Sequence, residues 1–135
     1  MNGGNKQYIL RRNDLAFPDL SFKINGILFK IFKEIGGGHK ENYYQRAIKI
    51  GLDKEKINFI EQYYIPIKFE NKIVGKYFLD FLIEEKIVLE IKRGQYIPAA
   101  IINQTKQYLE TLNLQLALIA CFTHTGVHIK RIINQ

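Results

Sequence analysis

The sequence predicts one mixed α/β domain in the order ααβββαββ. Three observations carry that expectation. Apolar residues recur at intervals of three and four in two stretches before residue 55. Between about residues 57 and 92 the texture changes to Tyr, Ile, Val and Phe. A helical stretch opened by Pro98 then separates that region from two further apolar runs. Length agrees: 135 residues, 47% hydrophobic and 24% charged, suit a single domain able to bury a core. Two full domains and a wholly disordered chain are both excluded.

Residues 1–18 read as a loose arm and residues 19–135 as the domain. From Pro18 and Asp19 onward, Ile24, Ile27, Leu28, Ile31, Phe32 and Ile35 define one helical face, which Asp19 or Ser21 can cap and Gly36 stops. After Gly36, Gly37 and Gly38, a second and more basic helix carries Glu41, Tyr44, Ile48 and Leu52 at helical spacing, forming a hairpin with the first. Three strands follow, broken at Glu70-Asn71-Lys72 and at Glu84-Glu85-Lys86. The stretch AAIINQTKQYLETL is a helix ended by Asn113, and the strands QLALIACF and VHIKRII close the order around a turn from Thr123 to Gly126.

Lys and Arg number 20 against 13 Asp and Glu, a net charge of +7. That excess favours a polyanionic partner through steering and counterion release, nucleic acid first and an acidic membrane surface second. Cys121 is the only cysteine and reads as a small buried thiol in a reducing compartment. The opening residues lack an apolar signal region, and no stretch approaches the ~18 apolar residues of a membrane helix. The expectation is a cytoplasmic protein without a membrane partner.

One region breaks the apolar texture. In KYFLDFLIEEKIVLEIKRG, Asp80 interrupts one strand, and Glu90 and Lys92 interrupt the next. A hairpin closing about Glu85 sets position 80 opposite position 90, so the carboxylates become cross-strand neighbours roughly 5 Å apart at Cβ. Period two puts Lys92 on the face of Glu90. Two carboxylates that close repel, and a divalent cation removes the repulsion. Oxygen-only ligands suit Mg²⁺, with Mn²⁺ able to substitute. Lys92 then stands ready to contact a phosphate or help activate a water, which together is the equipment of phosphodiester hydrolysis. The competing reading of the same spacing is an exposed sheet face with solvated charges.

Asp80, Glu90 and Lys92 resemble the core motif of the PD-(D/E)xK nuclease superfamily in its D…ExK form. KEIGGGHKENYY contains Gly38-x-x-Glu41-x-x-Tyr44, which resembles the signature of the GxxExxY proteins, a small prokaryotic branch of that superfamily. EQYYIPIKFENKIVG and VHIKRIIN are similar to that family's strand pair ahead of the catalytic hairpin and to its last strand, so the resemblance runs from about Leu20 to Asn134. It implies a restriction-endonuclease-like fold, a mixed sheet flanked by helices, and a Mg²⁺-dependent nuclease acting on nucleic acid, DNA before RNA. It further implies Glu41 as a third metal ligand beside Asp80 and Glu90. Gln104 and Tyr108 match a Gln-x-x-x-Tyr motif, implying that Gln104 holds the lysine or a water and Tyr108 positions a phosphate. Leu79 and Gly37 depart from the patterns, each standing where Pro is usual.

Lys40, Arg46, Lys49, Arg93 and Lys106 are the basic residues expected along a nucleic-acid backbone, against the plainer reading of solvated helix faces. His39, His124 and His128 read as structural, and the triple glycine lacks the Lys and Ser/Thr of a phosphate-binding loop. The rival to a nuclease is a catalytically silent nucleic-acid-binding module of a larger assembly; a domain that meets an acidic protein is a third reading. The number of copies is left open, a homodimer included.

Overall fold

The two helical stretches become α1 (Pro18–Ile35) and α2 (Glu41–Lys54). A computed structural model describes residues 16–134; residues 1–15 and 135, and with them nearly all of the expected arm, lie outside the described residues. Pro18 occupies the first turn of α1 after Phe17 in the left-handed region (φ 51°), so no side chain caps the helix. The Ser21 hydroxyl donates instead to the Ala16 carbonyl at 3.5 Å. Ile24, Ile27, Leu28 and Ile31 of α1 are buried, as are Tyr44, Ile48 and Leu52 of α2, on the faces the spacing marked, but Ile35, expected on the α1 face, is exposed at the end of the helix.

The strands are β1 (Phe59–Phe69), β2 (Lys72–Ile83), β3 (Ile87–Arg93), β4 (Leu116–Phe122) and β5 (Val127–Ile133), with α3 (Ala99–Leu112) between β3 and β4. They form one sheet in the order β1-β2-β3-β4-β5. Only β3 and β4 pair in parallel, because a parallel neighbour requires a crossover long enough to return the chain, here α3. Helices cover both faces of β4, and every residue of Leu116–Phe122 is buried, which explains an unbroken apolar run where a half-exposed strand would alternate. The architecture is the mixed sheet flanked by helices that the sequence predicts.

Two cores result. On one face Ile24, Leu28, Tyr44, Phe81, Leu89 and Phe122 pack between the sheet and α1 and α2. On the other, Ile65, Leu79, Val88, Tyr108 and Leu109 pack between the sheet and α3. Among the described residues no helix is long and apolar enough to cross a membrane.

The glycine turn between α1 and α2 fits tightly against the β4–β5 turn. A Cβ on Gly37 would lie 2.3 Å from the Thr123 carbonyl oxygen, a backbone atom that cannot move aside cheaply. Gly37→Ala should therefore lower stability by about 1–3 kcal/mol, read as a lower urea midpoint at unchanged slope. The same contact leaves no room for the Pro usual in the GxxExxY pattern.

Candidate active site

The β2–β3 connection is the three-residue turn of Glu84, Glu85 and Lys86, with Glu84 and Glu85 in the left-handed region at φ 52° and 55° and the Lys86 N–H donating to the Ile83 carbonyl at 2.9 Å. Register then follows: Phe81↔Leu89, Leu82↔Val88 and Ile83↔Ile87, which sets position 80 across from position 90. The ladder stops there. The next strand contact comes from a side chain, the Ile91 N–H donating to Asp80 Oδ2 at 2.7 Å, so the carboxylate sits in the fork where β2 leaves β3.

The fork coincides with an irregularity in β1. Position 62 lies opposite position 80, between the pairs Glu61↔Phe81 and Tyr63↔Leu79, and Gln62 holds φ 54°, an unfavourable conformation for a non-glycine residue. Leu79 packs on the α3 side while Phe81, two residues on, packs on the α1–α2 side. The strand thus turns over at Asp80, and simple alternation fails there.

Glu90 is the most unusual group. Its side chain is only 7% exposed, and its Oε1 has no hydrogen-bond partner among the described residues. Burial first, and the neighbouring Asp80 second, push its pKa up to about 9, with Lys92 pulling the other way. Glu90 therefore keeps its proton beside Asp80 across the neutral range. An orphaned buried oxygen beside a second carboxylate is a poor structural feature and a good ligand set for a hard divalent cation, which replaces the proton. The pair fits Mg²⁺ or Mn²⁺.

Lys92 is half-buried two residues beyond Glu90 on the same strand. Tyr108 comes over the pair from α3: burial, then Glu90, Tyr77 and Asp80, raise its pKa, so its hydroxyl stays a proton donor across the neutral range. Tyr77 packs edge-on against it, ring centres 5.5 Å apart. Gln104 is half-buried one turn earlier on the same helix.

Glu41 arrives from α2 at the end of β3, where its Oε2 accepts the Arg93 N–H at 3.2 Å. It does not converge with Asp80 and Glu90, and among the described residues no three His, Cys, Asp or Glu side chains cluster closely enough to hold one ion. Its motif companions explain its position. Gly38 takes φ 84° to make the turn. Tyr44 stacks on Phe122 at 3.9 Å and donates to the Gly36 carbonyl at 2.8 Å, fastening the first turn of α2 to the strand ends. Tyr44→Phe removes that hydrogen bond and should cost about 1–2 kcal/mol in a urea melt, with the stacking retained.

Of the expected basic residues, Lys40, Arg46, Lys49, Arg93 and Lys106 are all exposed. Lys49 lies 3.5 Å from Glu61, which also accepts from Gln45 at 3.1 Å, and the Arg46 guanidinium lies 5.9 Å from the centre of the Tyr43 ring. Lys106 borders a different cleft, with Leu109, Glu110, Ile133 and Asn134. Sequence reasoning missed Gln62 and Tyr77. No local signal marks Gln62, and alternation would put Tyr77 on the face away from Asp80.

The PD-(D/E)XK nuclease superfamily matches residues 18–132 of the chain. No curated protein matches it. Among solved structures, one described as the crystal structure of SSO0001 superposes with a TM-score of 0.56 at 18% identity, covering 70% of this chain and 50% of that one. The chain thus spans half the length of that relative, and the likeness concerns the fold alone.

Proposed function

The chain belongs to the PD-(D/E)XK nuclease superfamily, and from that premise we propose that it is a divalent-metal-dependent nuclease of the GxxExxY branch, acting in the cytoplasm on nucleic acid and on DNA before RNA. One observation carries the reading: a buried Glu90 with an unpartnered oxygen, forced against Asp80 where β2 and β3 part. A fold that only bound nucleic acid would have no reason to bear that cost.

Asp80 and Glu90 would hold the cation, with Glu41 at one remove because its carboxylate holds the Arg93 N–H. When bound, Mg²⁺ there supplies the charge that polarises a phosphoryl oxygen, eases deprotonation of an attacking water and offsets charge on the leaving oxygen. Lys92 meets the scissile phosphate or orients the water with its ammonium. Tyr108, kept protonated by burial and by its acidic neighbours, donates a hydrogen bond to a phosphate oxygen, and Gln104 orients Lys92 or the water from the turn before. Lys40, Arg46, Lys49, Arg93 and Lys106 follow the backbone outside the centre.

The test is incubation of the purified protein with single-stranded DNA, duplex DNA and RNA in Mg²⁺, Mn²⁺ or EDTA. Cleavage with either metal and none in EDTA is expected. Salt-sensitive binding with no turnover in either metal would replace this reading by the silent binding module.

A further inference from the structure

The β1–β2 pair runs on past the rest of the sheet. Its register continues to Phe69↔Lys72, yet β3 pairs only with Phe81, Leu82 and Ile83 of β2. Residues 63–78 therefore make a two-stranded ribbon that leaves the sheet at the fork holding Asp80, with Tyr63, Ile65 and Tyr77 at its base packed on the α3 side. A ribbon of this kind is only marginally stable by itself, and this one is unusually apolar outside: Phe69 is 68% exposed, Val74 66%, Phe78 45% and Tyr64 44%. Such a surface marks an interaction site.

Its chemistry selects the partner. Tyr64 and Phe78 face each other across the strands, ring centres 5.7 Å apart, and the Lys76 ammonium lies 5.7 Å from the centre of the Phe78 ring. Lys68 and Lys72 flank the tip, where Glu70 is the only acid of residues 63–78. Rings beside cations suit bases beside phosphates. A second copy of the chain laid on this surface would set the same lysines against one another, which is unfavourable, so charge favours a polyanion. Phe78 lies two residues from Asp80, about 7 Å along the strand, on the sheet face opposite the one where Tyr77 and Leu79 meet α3.

We infer that the β1–β2 ribbon is the platform on which this nuclease holds an unpaired strand of its substrate, bases stacking on Tyr64 and Phe78 and phosphates meeting Lys76, Lys68 and Lys72. Duplex hides its base faces within the stack and offers the rings nothing comparable. The inference rests on the nuclease reading for what the held strand is presented to; the grip itself is read without catalysis.

The experiment measures fluorescence anisotropy of a labelled mixed-sequence single strand and of its duplex, both in EDTA, for wild type, Tyr64→Ala/Phe78→Ala and Lys76→Glu. Alongside it, Mn²⁺-dependent hydrolysis of bis(p-nitrophenyl) phosphate reports the catalytic centre alone. The single strand should bind wild type at least about tenfold tighter than the duplex, and the double variant should lose about 10–100-fold, with ester hydrolysis unchanged. Lys76→Glu, which keeps the apolar surface, should weaken binding and flatten its salt dependence, so a double variant that failed to fold would still leave a decisive comparison. Equal affinity for strand and duplex, or full binding by the folded variants, overturns the platform. A double variant that turns a dimer into a monomer in sedimentation while binding normally overturns it in favour of a subunit interface. Loss of ester hydrolysis in wild type sinks the nuclease reading instead, and the binding comparison still decides the platform.

Discussion

Asp80→Asn should reduce metal-dependent cleavage on the order of 10³-fold while the protein remains folded. The substitution removes charge from the proposed cation site but keeps an oxygen able to accept the Ile91 N–H, now bonded to Asp80 Oδ2 at 2.7 Å. Asp80→Ala should lose the same activity and about 1–3 kcal/mol of stability besides, because it leaves that N–H without its partner. Comparing the pair in one cleavage assay and one urea titration separates the chemical role of the carboxylate from its role in the strand fork. Lys92→Ala should match Asp80→Asn in lost turnover while still gaining stability from Mn²⁺, since the lysine is not a ligand. Full turnover in Asp80→Asn would exclude this carboxylate from the chemistry.

Stability of the metal-free protein should fall as pH rises from about 5 to 9. The folded chain keeps a proton on Glu90 up to about pH 9, against an ordinary value of 4.5, whereas the unfolded chain releases it near the ordinary value. The folded state therefore binds more protons in that window. Its Glu90 contribution is fully present below 4.5 and is lost as pH climbs through the folded value, by at most about 1.4 kcal/mol per pH unit. Glu90→Gln cannot ionise, so this fall should vanish, leaving the variant on the order of 3 kcal/mol more stable than wild type at pH 8 in EDTA. Mn²⁺ should flatten the wild-type curve by taking the place of the proton and leave the variant unmoved. Urea titrations at pH 5, 7 and 9 with EDTA or Mn²⁺ read both effects; parallel pH curves for the two proteins would remove Glu90 from the centre.

Much of this molecule was legible because its local rules agree. The faces of α1 and α2, the turn at Glu84 and Glu85, and the crossover helix after Pro98 all follow from periodicity and turn chemistry, which act over a few residues. The opposition of positions 80 and 90 followed from the hairpin register alone. Alternation, however, gave no hint that the ladder ends there or that β2 turns over at Asp80. Both features accompany Gln62, a residue on another strand in a conformation its type does not demand.

Sequence by itself determined the order of elements, the two carboxylates brought together and the lysine beside them, since register and period two are properties of adjacent strands. Only the tertiary structure decided that Glu90 is buried with an unpartnered oxygen, that Glu41 stops at the Arg93 N–H, and that Tyr77 joins Tyr108 above the pair. The physical reason is range. Pairing and periodicity are fixed by neighbours along the chain, whereas desolvation and convergence depend on how far α2, α3 and the β1–β2 ribbon approach one point, and no local pattern encodes those distances.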